Sequence, residues 1–350
     1  MSKRKTILAG CLIGLGVMIL GCDSKSTPSG DASKGVSAEV VRLQGAGASF
    51  PAPLYLKWFK QYSTANQGVQ VDYQSVGSGS GVKSFLDGTV DFGASDAAMT
   101  EEEIKQAPKG VKLLPMTAGS IVLSYNIPNV ESLKLSRAAY VGIFSGTIVN
   151  WNDPEIAKAN PGVALPDLKI HPIMRADSSG TTYVFTKHLS AVSPEFAKSP
   201  GVNKMPNWSC GTKAKGNEGV TAAIVTTPGA IGYIEYSYAM GTKLKAASLE
   251  NQSGNYVAPT TAAAQASLSA AEFDANLIAW VPDPKSAEGY PIVTYTWILL
   301  PAGKVDDAKS VQMKKLMEFC LSEGQSKSEE LGYIPLPTNV VELAKKKLAE

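Results

Sequence analysis

The 350-residue chain is 44% hydrophobic, 18% charged and 8% aromatic, a composition that folds and that excludes a disordered, collagen-like or coiled-coil chain. Its length suits about two domains. The formal charge of +2 owes three positive charges to Lys3, Arg4 and Lys5; beyond residue 21, 30 basic residues face 31 acidic ones, and a near-neutral chain without a basic run offers no footprint for nucleic acid.

Residues 1–21 read as a signal peptide, with basic Lys3–Lys5 followed by the apolar run Ile7–Leu20, shorter than the roughly 20 residues that span a bilayer. The run closes on Ile19-Leu20-Gly21-Cys22, which resembles the bacterial lipobox, although Leu20 is bulkier than the residue usual there. In that motif the Cys is lipidated and becomes the mature N-terminus. Cys22 is therefore the expected lipidation site, and the chain is expected to be exported and lipid-anchored to the membrane on its periplasmic or extracellular face. Residues 22–39 follow as a tether: Asp23–Ala38 is rich in Ser, Lys, Gly and Asp and buries too little to offset its ordering entropy. Export permits a disulfide. Yet Cys210 lies in the polar stretch Asn207–Gly216, and Cys320 sits with Met313, Leu316, Met317 and Leu321 at helical core spacing, so both are expected to be free thiols.

From Val40 a motif recurs: an apolar or β-branched run, a cluster of small hydroxyl or Gly residues, then helical periodicity. Val40–Leu43 leads into Gly45–Phe50, and Pro51 and Pro53 open a helix with Leu54, Tyr55, Trp58 and Tyr62 on one face. Val69–Tyr73 leads into Gly77–Gly81, then Val82, Phe85 and Leu86. Thr89–Phe92 leads into Gly93–Asp96, and Thr100 with Glu103 forms a capping-box pattern. Ile170–Arg175 leads into Ala176–Thr182, then Val184, Phe185 and Leu189. Ser120–Asn126 and Pro291–Leu300 read as long strands crossing between two lobes, and Ser310–Leu321 and Asn339–Leu348 as helices. This alternation predicts an α/β fold with mainly parallel sheets, whose ligands collect beyond the carboxyl ends of the strands.

Loops of Gly, Ser and Thr feeding helices are anion cradles, because a helix N-terminus presents unpaired N–H groups and a positive dipole end. The same residues also serve as plain N-caps, so the four clusters carry weight only together. Arg175 and Asp177, two apart near a strand end, point to one face and can pair, the guanidinium facing an oxyanion and the carboxylate bracing it. A surface ion pair is the plain alternative. Gly77–Gly81 imitates a dinucleotide turn without a P-loop to follow. His171 sits in a strand pattern and His188 in a helix. No HExxH, CxxC or EF-hand spacing occurs, and the segments at Gly93 and Gly47 miss GxSxG at the final Gly. No metal, no cofactor and no catalytic residue is expected; a Ser-dependent hydrolase is the runner-up class.

Five segments, GAGASFPAP (45–53), VGSGSGV (76–82), DFGASDA (91–97), RADSSGT (175–181) and PGAIGYIEY (228–236), together resemble the phosphate-binding proteins of the PstS type. The resemblance runs in order from about residue 42 to the C-terminal helices. It implies a two-lobed type II periplasmic-binding-protein fold, two α/β lobes joined by hinge strands, with 40–119 plus 295–350 as lobe I and 120–294 as lobe II. It further implies a monomer that closes on inorganic phosphate and hands it to the permease subunits of an ABC importer with their ATPase, with no reaction catalysed. Carried over by motif, Ser49, the Phe50 N–H and Ser78 hold the anion from lobe I, and Asp96 accepts from it. Arg175 supplies the guanidinium from lobe II, Asp177 orients it, and Ser179, Gly180 and Thr181 donate. The sequence departs from the family at Gly79-Ser80, where Ser-Gly is the familiar order, and at Ser49, where Thr also occurs. A binding protein for sulfate or molybdate would share the lobes but lack the carboxylate aimed at the anion.

Overall fold

The computed structural model describes residues 40–303 and 307–350; the expected signal peptide, Cys22 and tether lie outside the described residues. The chain begins with β1 (Val41–Gly47), α1 (Ala52–Ala65), β2 (Val69–Ser75), α2 (Ser78–Leu86), β3 (Phe92–Ser95), α3 (Glu101–Lys105) and the long β4 (Val111–Asn126). It continues through β5 (Lys134–Leu135), α4 (Arg137–Ser145), α5 (Pro154–Ala159), β6 (His171–Arg175), α6 (Gly180–Val192) and α7 (Pro194–Lys198). Then come β7 (Thr212–Ala214), α8 (Gly216–Thr226), β8 (Ala230–Glu235) and α9 (Tyr236–Thr242). After β9 (Lys245–Ala246), β10 (Ser248–Glu250), β11 (Tyr256–Val257) and α10 (Thr261–Leu268), the chain returns through β12 (Val293–Pro301) to α11 (Ala308–Cys320) and α12 (Thr338–Ala349).

The principal strands line up as β2-β1-β3-β12-β4-β8-β6-β7. β1 is parallel to β2 and β3, and β6 is parallel to β7 and β8. β12 and β4 run antiparallel to their neighbours, so the arrangement is mixed rather than mainly parallel. β4 serves both ends: Val111–Ser120 pairs with β12, and Ile121–Asn126 pairs with β8. Two α/β halves therefore share one strand, with the exchange of partner falling between Ser120 and Ile121.

Local rules account for the elements. Leu54, Tyr55, Trp58, Phe59 and Tyr62 lie three or four apart and form the buried face of α1. Tyr55 and Phe59 of α1 meet Tyr73 and Phe92 edge-on, and Tyr73 and Phe92 stack on each other. α3 carries the expected capping box, Glu103 N–H donating to Thr100 Oγ1 at 3.2 Å and Thr100 N–H to Glu103 Oε2 at 2.9 Å. Cys320 is buried with Met313, Leu316 and Met317 on α11, Cys210 is half-buried, and both are free.

Two further expectations need correction. Gly45–Gly47 and Gly93–Ser95 are not loops but the last residues of β1 and β3. Their smallness serves packing: a side chain at Gly45 would overlap the Phe92 ring, and one at Gly81 of α2 would overlap the Gly47 Cα. Asp177, expected on a strand beside Arg175, lies two residues beyond the end of β6 in a bend.

Candidate functional site

The carboxyl ends of β1, β3 and β6 and the starts of α1, α2, α6 and α8 meet between the two halves, and every anion-site residue expected from the sequence is there. From one half, Ser49 and Phe50 lie between β1 and α1, Ser78 opens α2, and Asp96 follows β3. From the other, Arg175 ends β6, Ser179 caps α6 by accepting from Thr182 N–H at 3.0 Å, and Gly180 and Thr181 form its first turn. The first-turn N–H groups of α2 and α6 have no partner inside their own helices.

The side chains form one connected network. Asp96 N–H donates to Ser78 Oγ at 3.2 Å, and the Asp96 carboxyl receives Thr296 Oγ1 at 2.9 Å and Thr181 Oγ1 at 3.4 Å. Arg175 gives Nε to Asp177 Oδ1 at 2.9 Å and Nη2 to Asp177 Oδ2 at 2.5 Å, while Nη1 reaches Thr181 Oγ1 at 3.3 Å. The two-pronged side of the guanidinium is thus committed to Asp177 rather than left for an anion. Of its five N–H groups, these contacts occupy three, which leaves two for a ligand. Asp177 is held further by Gly216 N–H at 3.0 Å.

Ser49, Ser78, Asp96, Arg175, Ser179 and Thr181 are all buried, and the halves touch directly. Gly79 N–H donates to the Ser178 carbonyl at 2.9 Å. Lys204, whose carbonyl accepts from Ser179 N–H at 2.9 Å, sends its ammonium to Glu103 of α3 at 3.2 Å. The site is closed. A surface groove of about 670 Å³, lined by Asp91, Lys109 and Lys309 among others, shares none of its side chains.

Burial raises the Asp96 pKa to about 7, against the lowering effects of the Thr296 hydrogen bond and the Arg175 charge. Asp177 moves the other way: burial acts to raise it, but its hydrogen bonds and charge contact with Arg175 together hold it below the usual range. His188, in helix α6 as expected, is a core histidine, with Nδ1 facing the Pro282 carbonyl at 2.7 Å and Nε2 facing Tyr140 Oη at 3.0 Å. Burial lowers its pKa to about 4.

Sequence reasoning missed a surrounding layer. Tyr238 Oη donates to the Ser49 carbonyl at 2.6 Å, and Tyr333 Oη to the Phe50 carbonyl at 2.6 Å, so tyrosines from distant segments fix the first anion loop. Glu235, at the end of β8 and opposite Ile121, is fully buried. Oxygen contacts run from Glu235 Oε2 to Ser237 Oγ, to Tyr333 Oη and on to the Phe50 carbonyl. These three contacts need three protons, and Ser237 and Tyr333 bring two. A neutral Glu235 carboxyl supplies the third, in accord with burial raising its pKa to about 8. Asn217, in the first turn of α8, touches both Ser49 and Thr181. Its signal was a Gly-Asn pair opening a helix after a polar loop, the same pattern as the four clusters.

A closed cleft between two α/β halves joined through a shared strand defines a substrate-binding protein of the periplasmic type. The family model described as the PBP superfamily domain matches residues 27–323. Phosphate-binding protein PstS of Xylella fastidiosa is 36% identical over 325 residues, covering 91% of this chain and 86% of that protein. PstS of Haemophilus influenzae is 36% identical over 312 residues, covering 88% and 92%. The chain belongs to the PstS family of phosphate-binding proteins. The crystal structure of a phosphate-binding protein from Stenotrophomonas maltophilia superposes with a TM-score of 0.71 at 21% identity, over 88% of this chain and 94% of that one, and so shares the two-lobed fold.

Proposed function

We propose that the chain binds inorganic phosphate between lobe I, residues 40–119 with 295–350, and lobe II, residues 120–294, and releases it to the permease subunits of an ABC importer driven by their ATPase. The observation that carries this reading is that buried Asp96 and buried Arg175 face one cleft from opposite lobes, linked through Thr181 Oγ1, among hydroxyls and helix N-termini from both lobes. A guanidinium and dipoles attract the anion, and a lone carboxyl facing them accepts a proton that phosphate has and sulfate lacks. Within the site, Ser49, the Phe50 N–H, Ser78, Ser179, Gly180 and Thr181 donate, Asp96 accepts, Arg175 pairs with the charge and Asp177 holds Arg175 in place. The protein acts as a monomer and catalyses no reaction; the second of these is supported by the buried imidazole of His188, which is engaged by Tyr140 and Pro282 and not by a site hydroxyl.

Export and a lipid on Cys22 would keep the protein at the membrane beside the importer. Because one acyl chain gives only marginal attachment, mass spectrometry of the membrane form should find a multiply acylated Cys22 at the N-terminus. An unmodified N-terminus elsewhere would refute the anchor. Calorimetry of the full-length chain with phosphate, sulfate and molybdate tests the ligand. Tight, exothermic phosphate binding is expected; equal affinity for sulfate at about pH 9, where Asp96 is ionised, would overturn the assignment.

A further inference from the structure

We propose that Asn217 is a positioning residue of the anion site, which turns the hydroxyls of Ser49 and Thr181 into obligate donors toward the ligand. This deepens the phosphate reading and rests on it. Asn217 is fully buried, and its amide orientation is fixed because Oδ1 accepts from the Glu235 backbone N–H at 2.9 Å. A backbone N–H can only donate, so the NH₂ group must face the other way. There Nδ2 donates to Ser49 Oγ at 2.8 Å and to Thr181 Oγ1 at 3.2 Å, and the Asn217 backbone N–H adds a second bond to Ser49 Oγ at 3.0 Å.

A hydroxyl has two lone pairs and one proton. Two N–H groups of Asn217 fill both lone pairs of Ser49 Oγ, which leaves it only its proton to give, and no acceptor among the described residues takes that proton. Thr181 Oγ1 accepts from Asn217 Nδ2 and Arg175 Nη1, so its proton too is left for donation, toward Asp96 Oδ2 at 3.4 Å or a ligand oxygen. The consequence is an orientation rule. Unprotonated ligand oxygens face Ser49 and Thr181, and of these three side chains only Asp96 can meet a ligand O–H. Because Ser49 stands on lobe I and Asn217 on lobe II, the rule is imposed as the lobes come together.

The test measures phosphate affinity of the full-length chain by calorimetry in a double-mutant cycle. Asn217→Ala should weaken binding about tenfold, the scale of a lost hydrogen bond in a closed site, and Asn217→Asp more, because its carboxylate would take the Ser49 proton for itself. In a Ser49→Ala background the Asn217→Ala loss should shrink to about threefold or less, because only the longer contact to Thr181 is then left to lose. A purely structural Asn217 would cost the same in both backgrounds, and that result would overturn the inference. So would Asn217→Ala binding phosphate as tightly as the unmodified chain. An unmodified chain that ignores phosphate would instead sink the phosphate reading, and this inference with it.

Discussion

Sulfate binding should strengthen as pH falls, with Asp96 as the switch. Burial keeps this carboxyl neutral up to about pH 7. Above that it is ionised and can only accept hydrogen bonds, so a sulfate oxygen against it meets like charge with no proton between. Sulfate must then use the fraction of molecules whose Asp96 is protonated, and this fraction falls about tenfold per pH unit above the pKa. From about pH 6 to about pH 9 sulfate affinity should therefore drop on the order of a hundredfold. Phosphate keeps at least one O–H over this range and always offers Asp96 a proton, so its affinity should change far less. An Asp96→Asn variant can donate through its amide at any pH, and its sulfate curve should be flat. Calorimetric titrations with both anions at constant ionic strength decide the matter. Sulfate affinity that ignores pH in the unmodified protein, or an Asp96→Asn variant with the original slope, would refute the reasoning.

Arg175→Ala should lose about one to two decades of phosphate affinity or more, as a charge-assisted contact disappears and Asp177 is left unpaired, whereas His188→Ala should lower the melting temperature and leave affinity unchanged; calorimetry and thermal melts read the two. Gly180→Ala should abolish tight binding in a protein that still folds, because its Cβ would overlap Ser78 Oγ and come within 2.8 Å of the Asp96 Cβ only when the lobes are shut. Solution scattering should then show that phosphate compacts the unmodified protein and not the variant, and equal compaction would show that this contact does not govern closure. Glu235 holds a raised pKa of about 8, so the stability it contributes is full below the ordinary glutamate range and is lost as pH rises through about 8. Glu235→Gln should flatten the urea-unfolding profile between about pH 7 and 8, beyond most of the contribution of Asp96; an unchanged slope there would mean that the carboxyl does not carry the proton.

Much of this architecture was legible because helix starts announce themselves locally. Ser179 before Thr182, Thr100 before Glu103 and Pro53 after Ser49 are short-range signals, and each marks a real helix start. The site residues on those starts could be found for the same reason. Thr296 could not, since Thr294, Tyr295 and Thr296 stand together in β12 with no local signal to single one out, and the contact with Asp96 lies 200 residues away in sequence, beside a register irregularity between Thr296 and Trp297. Tyr333, Tyr238 and Glu235 act on the Ser49–Phe50 loop from far along the chain, and no local spacing encodes that approach. The loop reading of Gly93–Ser95 failed because a run of small residues signals a turn and a close helix contact equally well; here the contact decided it.

The glycines beneath the anion loops carry a consequence for how this site can vary. None has a polar side chain, yet Gly45, Gly47 and Gly81 set how near α2 and the ends of β1 and β3 can approach, and a methyl group at any of them would overlap its neighbour. A substitution scan scored on phosphate uptake would thus register a second map beneath the chemical one. Its sensitive positions would be chemically mute, and their tolerance would follow available volume rather than charge or hydrogen bonding. Altering the preferred anion through Asp96 or Arg175 alone would leave that spacing intact, so a larger oxyanion would have to be accommodated by the lobes rather than by the loops.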